Sequence, residues 1–398
     1  MISFFILFIL LFGVNQVLLN SLAQKHRFFD KKLLNLLYGY HLLFFLVYFL
    51  YATYNPSDSK HYYAVADALG SDWPSRFQTG TQFVNVLAAP FIQLGLSFIA
   101  TMLLFSWMGY VGFVYAYLFF RENIPVPVKL FGRFDLLTVL LFLPNMHFWT
   151  ASLGKGSVIF MGLMLFTYAV KFPSKRIIPL LIGGFFIYMV RPHVMFFVLL
   201  GVMTGLMIGE GKISTSIKIF IIIASLGFLV VFSSSILAVA NLQDSENVIE
   251  DFGTFSQKRA SGLSTSGSGV NMSNYPVPVK LFTFWFRPLF VDSPGVLGLF
   301  SSVENLLYLL LFFKICNKRF FRFMKKAPYL VIMSAIIFLL ASFAMTFIMS
   351  NLGIMMRQKS MVMYFGFFVI YYFLAEERYQ AVMRIRKRKE QMKPKLTV

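Results

Sequence analysis

The sequence has little charge, one cysteine and five histidines. Charged residues make up 13% of its 398 residues, about half of the roughly 25% that is usual in soluble domains. The single cysteine, Cys316, excludes a disulfide framework and a metal site built from several cysteines. Hydrophobic residues reach 58%, above the roughly 45–50% of soluble domains. These figures together exclude a soluble enzyme, a disordered chain and a coiled coil.

Long uncharged apolar runs take the place of the missing charge. A helix needs about 20 apolar residues to cross a bilayer, and several apolar runs reach that length. We therefore predict an all-α fold, a polytopic membrane helix bundle that forms one domain over 1–375, with external loops at 54–90 and 240–295 and a basic cytoplasmic tail at 376–398. The predicted spans are 2–22, 34–53, 91–120, 136–150, 157–170, 177–190, 194–209, 215–239, 296–313, 328–349 and 361–375.

The distribution of basic residues predicts the orientation of these spans. Of the 36 Lys and Arg residues, 26 fall in the segments on one side and 10 on the other, which gives net charges of +19 and +1. Because basic residues accumulate on the cytoplasmic side, we predict an external N-terminus and a cytoplasmic C-terminus. The net charge of +20 is then an orientation signal, and we expect no nucleic-acid partner.

An uncharged stretch at 77–120 is too long for one simple span. Splitting it at Gly109 would invert everything downstream and place most basic residues outside, against the positive-inside rule. We therefore predict that 77–90 is interfacial or re-entrant and leads into a single tilted span.

Four cations lie at predicted external ends of spans, where the orientation rule disfavours them. Lys155 stands between two glycines, Arg191 and Arg287 each precede a proline, and Arg357 lies in the predicted last external turn, 351–359. A helix bundle that brings them together would bind a phosphate or diphosphate group, because Arg pairs bidentately with phosphate oxygens and Lys supplies a point charge. The alternative is that each side chain reaches separately to lipid phosphates.

Two carboxylates are candidates for acid or base chemistry. Asp58, in the first external loop near Tyr62 and Tyr63, is either a general base or the N-cap of a short helix over 59–69. Glu304 is the only acid within an apolar run, where a charge is costly. It is either functional or part of a buried ion pair with Arg287 or Arg357. Asp292 precedes a Pro-Gly turn and is predicted to be a turn residue.

The histidines give weaker signals. His193 is either a base beside Arg191 or a hydrogen-bonded structural group at a helix start. His147 is expected either to line the same cavity as His193 and Arg191 or to lie at the membrane interface. No spacing of His, Asp and Glu resembles a metal site, and no glycine-rich phosphate loop occurs. We therefore expect no metal and no cofactor, and the cytoplasmic loops are too short for a nucleotide-binding domain.

The ordered motifs resemble those of Wzy-type and EpsG-type polysaccharide polymerases and of the wider glycosyltransferase C-like superfamily. The resemblance is spread over the whole chain and rests on Asn55–Asp58 with Tyr62-Tyr63, Ser152–Lys155, Arg191–His193, Phe286–Pro288 with Glu304–Leu307, and Asn351–Gly353 with Arg357. The chain lacks the Asp-x-Asp or Glu-Asp pair that many glycosyltransferase C enzymes carry in the first external loop.

The resemblance implies transfer or polymerisation of sugars carried on polyprenyl diphosphate, at the outer face of the cytoplasmic membrane, for cell-surface polysaccharide synthesis. Lys155, Arg191, Arg287 and Arg357 would neutralise the departing diphosphate, and Asp58, Glu304 or His193 would be the catalytic groups. The implied partners are the lipid-linked saccharide, membrane lipids and other polysaccharide-assembly proteins. Two alternatives remain: a transporter or flippase of a lipid-linked or anionic substrate, and a non-catalytic assembly subunit.

Overall fold

The computed structural model describes residues 2–130, 132–211, 214–238, 248–264, 268–272, 274–293 and 295–391. The described residues form α-helices, two 3₁₀ helices (Gly70–Arg76 and Phe290–Asp292) and one small hairpin, Lys129–Leu130 with Phe134–Asp135. The helices are α1 Ile2–Lys25, α2 Lys31–Tyr54, α3 Asp58–Ala68, α4 Thr81–Gln93, α5 Phe98–Asn123, α6 Leu136–Leu141, α7 Pro144–Thr150, α8 Lys155–Val170, α9 Ile177–Val190, α10 Pro192–Ile208, α11 Thr215–Val231, α12 Ser233–Ala238, α13 Val248–Ser264, α14 Val277–Phe286, α15 Gly295–Ile315, α16 Lys318–Met324, α17 Tyr329–Ile348 and α18 Leu352–Gln391.

Five of these helices, α1, α2, α5, α15 and α17, are long and apolar enough to cross a membrane. The prediction of an all-α chain is confirmed, and five of its helices could cross a membrane by their length and composition. Large apolar side chains on these helices are exposed, such as Ile9 on α1 (71%) and Phe300 on α15 (60%). Exposed apolar surface of this kind is stable against lipid hydrocarbon, whereas in water it would favour aggregation. These helices therefore suggest a multi-pass membrane protein.

The uncharged stretch at 77–120 contains one long helix, as predicted. The helix α5 runs without a break through Gly109, where an added Cβ would lie 2.1 Å from the Thr150 carbonyl oxygen. The preceding helix α4 is a separate element of 13 residues, about 20 Å long at 1.5 Å per residue. It ends before Gly95, whose φ of 90° favours glycine.

The structure interrupts one predicted span and replaces one predicted turn with a helix. The predicted span 136–150 is divided into α6 and α7, because Pro144 begins a new helix and cannot continue the preceding one. The predicted external turn 351–359 is helical: α18 begins at Leu352, where the Asn351 side chain accepts a hydrogen bond from the Ile354 N–H at 3.0 Å. The segment after position 375 continues the same helix to Gln391, which makes α18 40 residues long.

The centre of the bundle is densely aromatic. Fully buried Phe and Tyr side chains of α5, α8 and α18 pack together there, including Phe113, Phe160 and Tyr364. His147 belongs to this core, which corrects the prediction that it lines a cavity or lies at the interface. Its ring stacks on Phe113 at 4.0 Å, and its Nδ1 atom lies 2.8 Å from Nδ1 of His41.

Candidate functional site

Three of the four predicted cations converge at one place in the fold. Lys155 is the first residue of α8, Arg191 lies between α9 and α10, and Arg357 is in the second turn of α18. The charges of Arg191 and Arg357 both act on Lys155, and that of Arg357 acts on Arg191. We call Lys155, Arg191 and Arg357 the cation cluster. Asp58, the first residue of α3, forms an ion pair with Arg357.

A small cleft with a volume of about 10 Å³ lies at Lys155, Arg357 and Asp58, and Arg191 is not part of its lining. Its walls come from α2, α3, the segment that joins α7 to α8, and α18. Tyr62 of α3 forms a hydrogen bond with Arg357 and is only 4% exposed. Tyr48 of α2 accepts a hydrogen bond from the Ser59 hydroxyl at 3.3 Å. The cleft therefore combines cations with aromatic rings and hydroxyl groups, and a ligand larger than a water molecule would meet them at its open side.

The cluster carries more positive charge than its own acid balances. Three cations face one carboxylate, Asp58, which leaves a surplus of two positive charges. The Arg191 Nε atom is buried and has no hydrogen-bond partner within the described part of the chain. A buried donor without a partner costs free energy and needs an explanation. An anionic ligand would supply both the missing acceptor and the missing charge.

Burial and mutual repulsion shift the pKa values of two of these cations. Burial, followed by the charges of Arg191 and Arg357, lowers the pKa of Lys155 to about 8. Burial and then the Arg357 charge lower the pKa of Arg191 to about 10. Both shifts have the causes expected of cations that are crowded together and partly removed from water. The negative charge of a bound anion would raise both pKa values again.

Helix N-termini reinforce the positive potential. The helices α3, α8 and α10 begin at Asp58, Lys155 and Pro192, so their first turns lie at the cluster. The first N–H groups of a helix have no partner within it, and the helix dipole is positive at that end. No side chain caps α8 or α10. In α10, Pro192 has no N–H and the Val194 N–H donates to the Arg191 carbonyl oxygen at 2.9 Å. The start of α8 is therefore the helix terminus that joins the cation cluster in the kind of surroundings that bind phosphate.

Close packing fixes the backbone that presents Lys155. A Cβ on Gly156 would lie 2.4 Å from the Trp149 carbonyl oxygen, so α7 and the start of α8 touch only because this residue is glycine. The Ser157 hydroxyl donates to the Ser152 and Gly154 carbonyl oxygens, both at 3.1 Å. The segment between α7 and α8 is therefore held rigidly beneath the cleft.

Asp58 does not cap α3 but pairs with a residue of the cation cluster. The short helix that the sequence predicted exists as α3, but Ser57 occupies its N-cap position, so the interpretation of Asp58 as the cap is wrong. The Asp58 side chain, 58% exposed, pairs instead with Arg357, which is 25% exposed. Asp58 is thus the carboxylate that lies beside the cation cluster and remains open to solvent.

Arg287 and Glu304 lie apart from the cluster. Arg287 forms an ion pair with Asp292, which also accepts the Leu289 N–H, so Asp292 is indeed a turn residue. Glu304 accepts hydrogen bonds from the Asn145 N–H and, at 2.6 Å, from the Tyr308 hydroxyl. The expected buried pair of Glu304 with Arg287 or Arg357 is therefore wrong, because both arginines pair with aspartates.

A buried cation that acts on Glu304, Lys359, is not among the predicted site residues. Lys359 is 1% exposed, and its Nζ donates to the Arg287 carbonyl oxygen at 2.6 Å and to Asn305 Oδ1 at 2.8 Å. Its charge acts on Glu304. Lys359 and Arg357 are two residues apart on α18, which is why one joins this buried network and the other faces the cleft.

His193 does lie beside the cluster, as the sequence suggested. The charges of Arg191 and Lys155 act on it, and its Nδ1 atom is buried without a partner among the described residues. A further cation, Arg259 of α13, also acts on Lys155. In the sequence, Arg259 falls in the predicted external loop 240–295, where nothing marks it as a site residue.

The geometry of the described residues defines the candidate site. Among the described residues, no group of three or more His, Cys, Asp or Glu side chains is arranged to hold a metal ion. The candidate site is therefore the cation cluster with Asp58, Tyr62 and His193 around it. In comparisons with protein-family models, curated proteins and solved structures, nothing matches this chain.

Proposed function

We propose that the chain transfers or polymerises sugars carried on polyprenyl diphosphate, at the outer face of the cytoplasmic membrane, for cell-surface polysaccharide synthesis. The observation that carries the proposal is the convergence of Lys155, Arg191 and Arg357 with a surplus of positive charge. A diphosphate beside the bilayer is a ligand of the matching charge. The ordered motifs that resemble Wzy-type and EpsG-type polymerases support the same class.

In the proposed reaction, an acceptor hydroxyl oxygen forms a bond to the anomeric carbon of the lipid-linked sugar. The bond from that carbon to the diphosphate oxygen breaks, and the diphosphate leaves with the bonding electron pair. The cation cluster stabilises the negative charge that develops on this leaving group, which is usually the largest catalytic contribution. The hydroxyl proton passes to a base beside the cluster.

Asp58 is the base that the geometry favours. It lies at the cleft, is open to solvent and is held in place by Arg357. Glu304 is buried, and hydrogen bonds from Asn145 and Tyr308 already occupy it. His193 is near the cluster and is the second candidate. Arg287 is not part of the proposed diphosphate site, because Asp292 neutralises its charge.

The proposal includes the finer topology: eleven crossings, with an external N-terminus and a cytoplasmic C-terminus. The excess of basic residues in alternate connections supports it. The cation cluster would then lie at the external surface, where lipid-linked saccharides await polymerisation.

The experiment is turnover of a polyprenyl-diphosphate-linked oligosaccharide by purified protein. The variants Lys155→Ala, Arg191→Ala and Arg357→Ala are compared with Arg287→Ala, which removes a cation of the same predicted set that lies outside the cluster. Each cluster variant is expected to lower kcat by about 10²–10³-fold, and Arg287→Ala by much less. Full activity in all three cluster variants would contradict the proposal, and binding without any turnover in the wild type would favour a transporter.

A further inference from the structure

An apolar groove lies next to the cation cluster, between α2, α7, α15 and α18. Its volume is about 500 Å³, within the range of roughly 300–1,000 Å³ that is usual for ligand sites. The wall from α2 runs from Tyr40 to Tyr51. Its twelve residues span eleven rises of 1.5 Å, about 16 Å in all. The groove is therefore long enough for an extended hydrocarbon chain.

The rim of the groove is apolar and exposed. Val47 of α2 and Leu297 of α15 are each 37% exposed, and Phe300 of α15 is 60% exposed. Both helices are among those long and apolar enough to cross a membrane. The groove thus opens sideways, where the lipid tails of a bilayer would meet it.

The polar atoms within the groove satisfy one another. The Trp149 indole N–H donates to Asn145 Oδ1 at 3.0 Å, and the Asn145 side-chain amide donates to the Met356 carbonyl oxygen at 3.1 Å. Few hydrogen-bonding groups therefore remain to receive a polar ligand, and a hydrocarbon chain fits the lining better than a sugar.

The groove and the cleft of the cation cluster share a wall. Trp149 lines both cavities. On α18, Met356 lines the groove, and the next residue, Arg357, lines the cleft. Phe148 bridges the same boundary, with its ring 4.9 Å from Tyr48 in the cleft and 5.7 Å from Tyr51 in the groove. One molecule whose charged head lies at the mouth of the cleft and whose apolar tail lies in the groove would cross this boundary.

We infer that this groove binds the isoprenoid chain of the lipid-linked substrate while the cation cluster holds its diphosphate. The inference rests on the proposed function and names the part of the substrate that the cluster does not contact. The wall at Trp149 separates the reacting diphosphate from the membrane-embedded tail.

The test compares the affinities of two probes, a long-chain polyprenyl diphosphate and the short geranyl diphosphate, for purified protein in detergent. The double variant Val47→Trp/Leu297→Trp fills the groove from both sides. The matched control is Leu50→Trp/Val303→Trp, which adds the same bulk to α2 and α15 at exposed positions (56% and 60%) outside the groove.

The groove variant is expected to lower the affinity for the long-chain probe by about tenfold or more. Its two tryptophans occupy the space in which the hydrocarbon chain would bury apolar surface. Its affinity for geranyl diphosphate is expected to change less than twofold, and the control is expected to keep wild-type affinity for both probes. An unchanged long-chain affinity in the groove variant would overturn the inference, as would an equal loss in the control. A phospholipid retained by the wild type and lost by the groove variant, with unchanged long-chain affinity, would assign the groove to a structural lipid instead. If neither probe binds the wild type, the proposed function itself fails.

Discussion

Asp58 and Arg357 form an ion pair although 299 residues separate them in the sequence. The pair joins α3, which follows the second helix of the chain, to α18, the last one. It places the cleft between the two ends of the fold. It also leaves Lys155 and Arg191 without a carboxylate of their own among the described contacts, so the site keeps a surplus of positive charge.

Replacing Asp58 separates its two contributions. Asp58→Asn keeps the shape but removes the charge and the proton acceptor. If Asp58 is the base, kcat falls by about 10²–10⁴-fold, while inorganic diphosphate binds as well as before or more tightly, because a competing negative charge is lost. The measurement is kcat together with diphosphate affinity.

Asp67→Asn is the control for this change, since Asp67 is also exposed on α3 and lies outside the cleft. It should leave both quantities unchanged. Wild-type kcat in Asp58→Asn would remove Asp58 from the mechanism and would turn attention to His193.

The affinity of the site for anions should depend on pH through Lys155. The pKa of Lys155 is about 8, so its ammonium group is charged below that pH and neutral above it. Binding of sulfate, which keeps its charge over this range, should weaken by about tenfold as the pH rises from 7 to 9, because one charge-assisted hydrogen bond is lost. Sulfate-dependent thermal stabilisation at constant ionic strength measures this.

Two variants locate the source of that dependence. Lys155→Arg keeps its charge over the whole range and should bind sulfate equally at pH 7 and 9. Lys155→Gln should bind weakly at both. A wild-type step that persists in Lys155→Gln would show that another group titrates.

The glycines beside Lys155 should differ in their tolerance of a methyl group. A Cβ on Gly156 would lie 2.4 Å from the Trp149 carbonyl oxygen, whereas one on Gly154 would meet Tyr62 at an ordinary 3.5 Å. Gly156→Ala should therefore lower the free energy of unfolding by about 1–3 kcal/mol, measured as a lower Tm. Gly154→Ala is the control and should change Tm little. Equal effects would mean that the contact between α7 and α8 is looser than described.

The native cysteine tests the proposed orientation. Cys316 is exposed and lies in a segment predicted to be cytoplasmic. A membrane-impermeant maleimide should not label it in intact cells but should label it after permeabilisation. In a Cys316→Ser background, Lys60→Cys should be labelled in intact cells, because Lys60 is exposed in the first predicted external loop. Labelling of Cys316 in intact cells would invert the topology.

The sequence located much of the fold and part of the site. Runs of apolar residues mark helices wherever the surroundings are hydrocarbon, so α1, α2, α5, α15 and α17 were visible. Lys155, Arg191 and Arg357 stood out because each is a cation at a predicted external helix end. The predicted turn 351–359 is helical instead, because the Asn351 side chain caps the start of α18.

Helix packing decided what the sequence could not. Nothing in the local sequence indicates that Arg287 faces Asp292 while Arg357 faces Asp58. The burial of Lys359 and the hydrogen bonds of Glu304 also depend on which helix faces touch. A span count cannot reveal the groove beside Trp149 either, because its walls come from four helices far apart in the chain.

Direct binding of geranyl diphosphate to purified wild type, Arg191→Gln and Arg287→Gln, by calorimetry with Tm checked for each, tests the cation cluster itself. Arg191→Gln should lose about tenfold or more in affinity, because a charged donor to the anion is removed, and Arg287→Gln should stay within about twofold of wild type. Wild-type affinity in folded Arg191→Gln, or an equal loss in Arg287→Gln, would contradict a diphosphate site built from Lys155, Arg191 and Arg357.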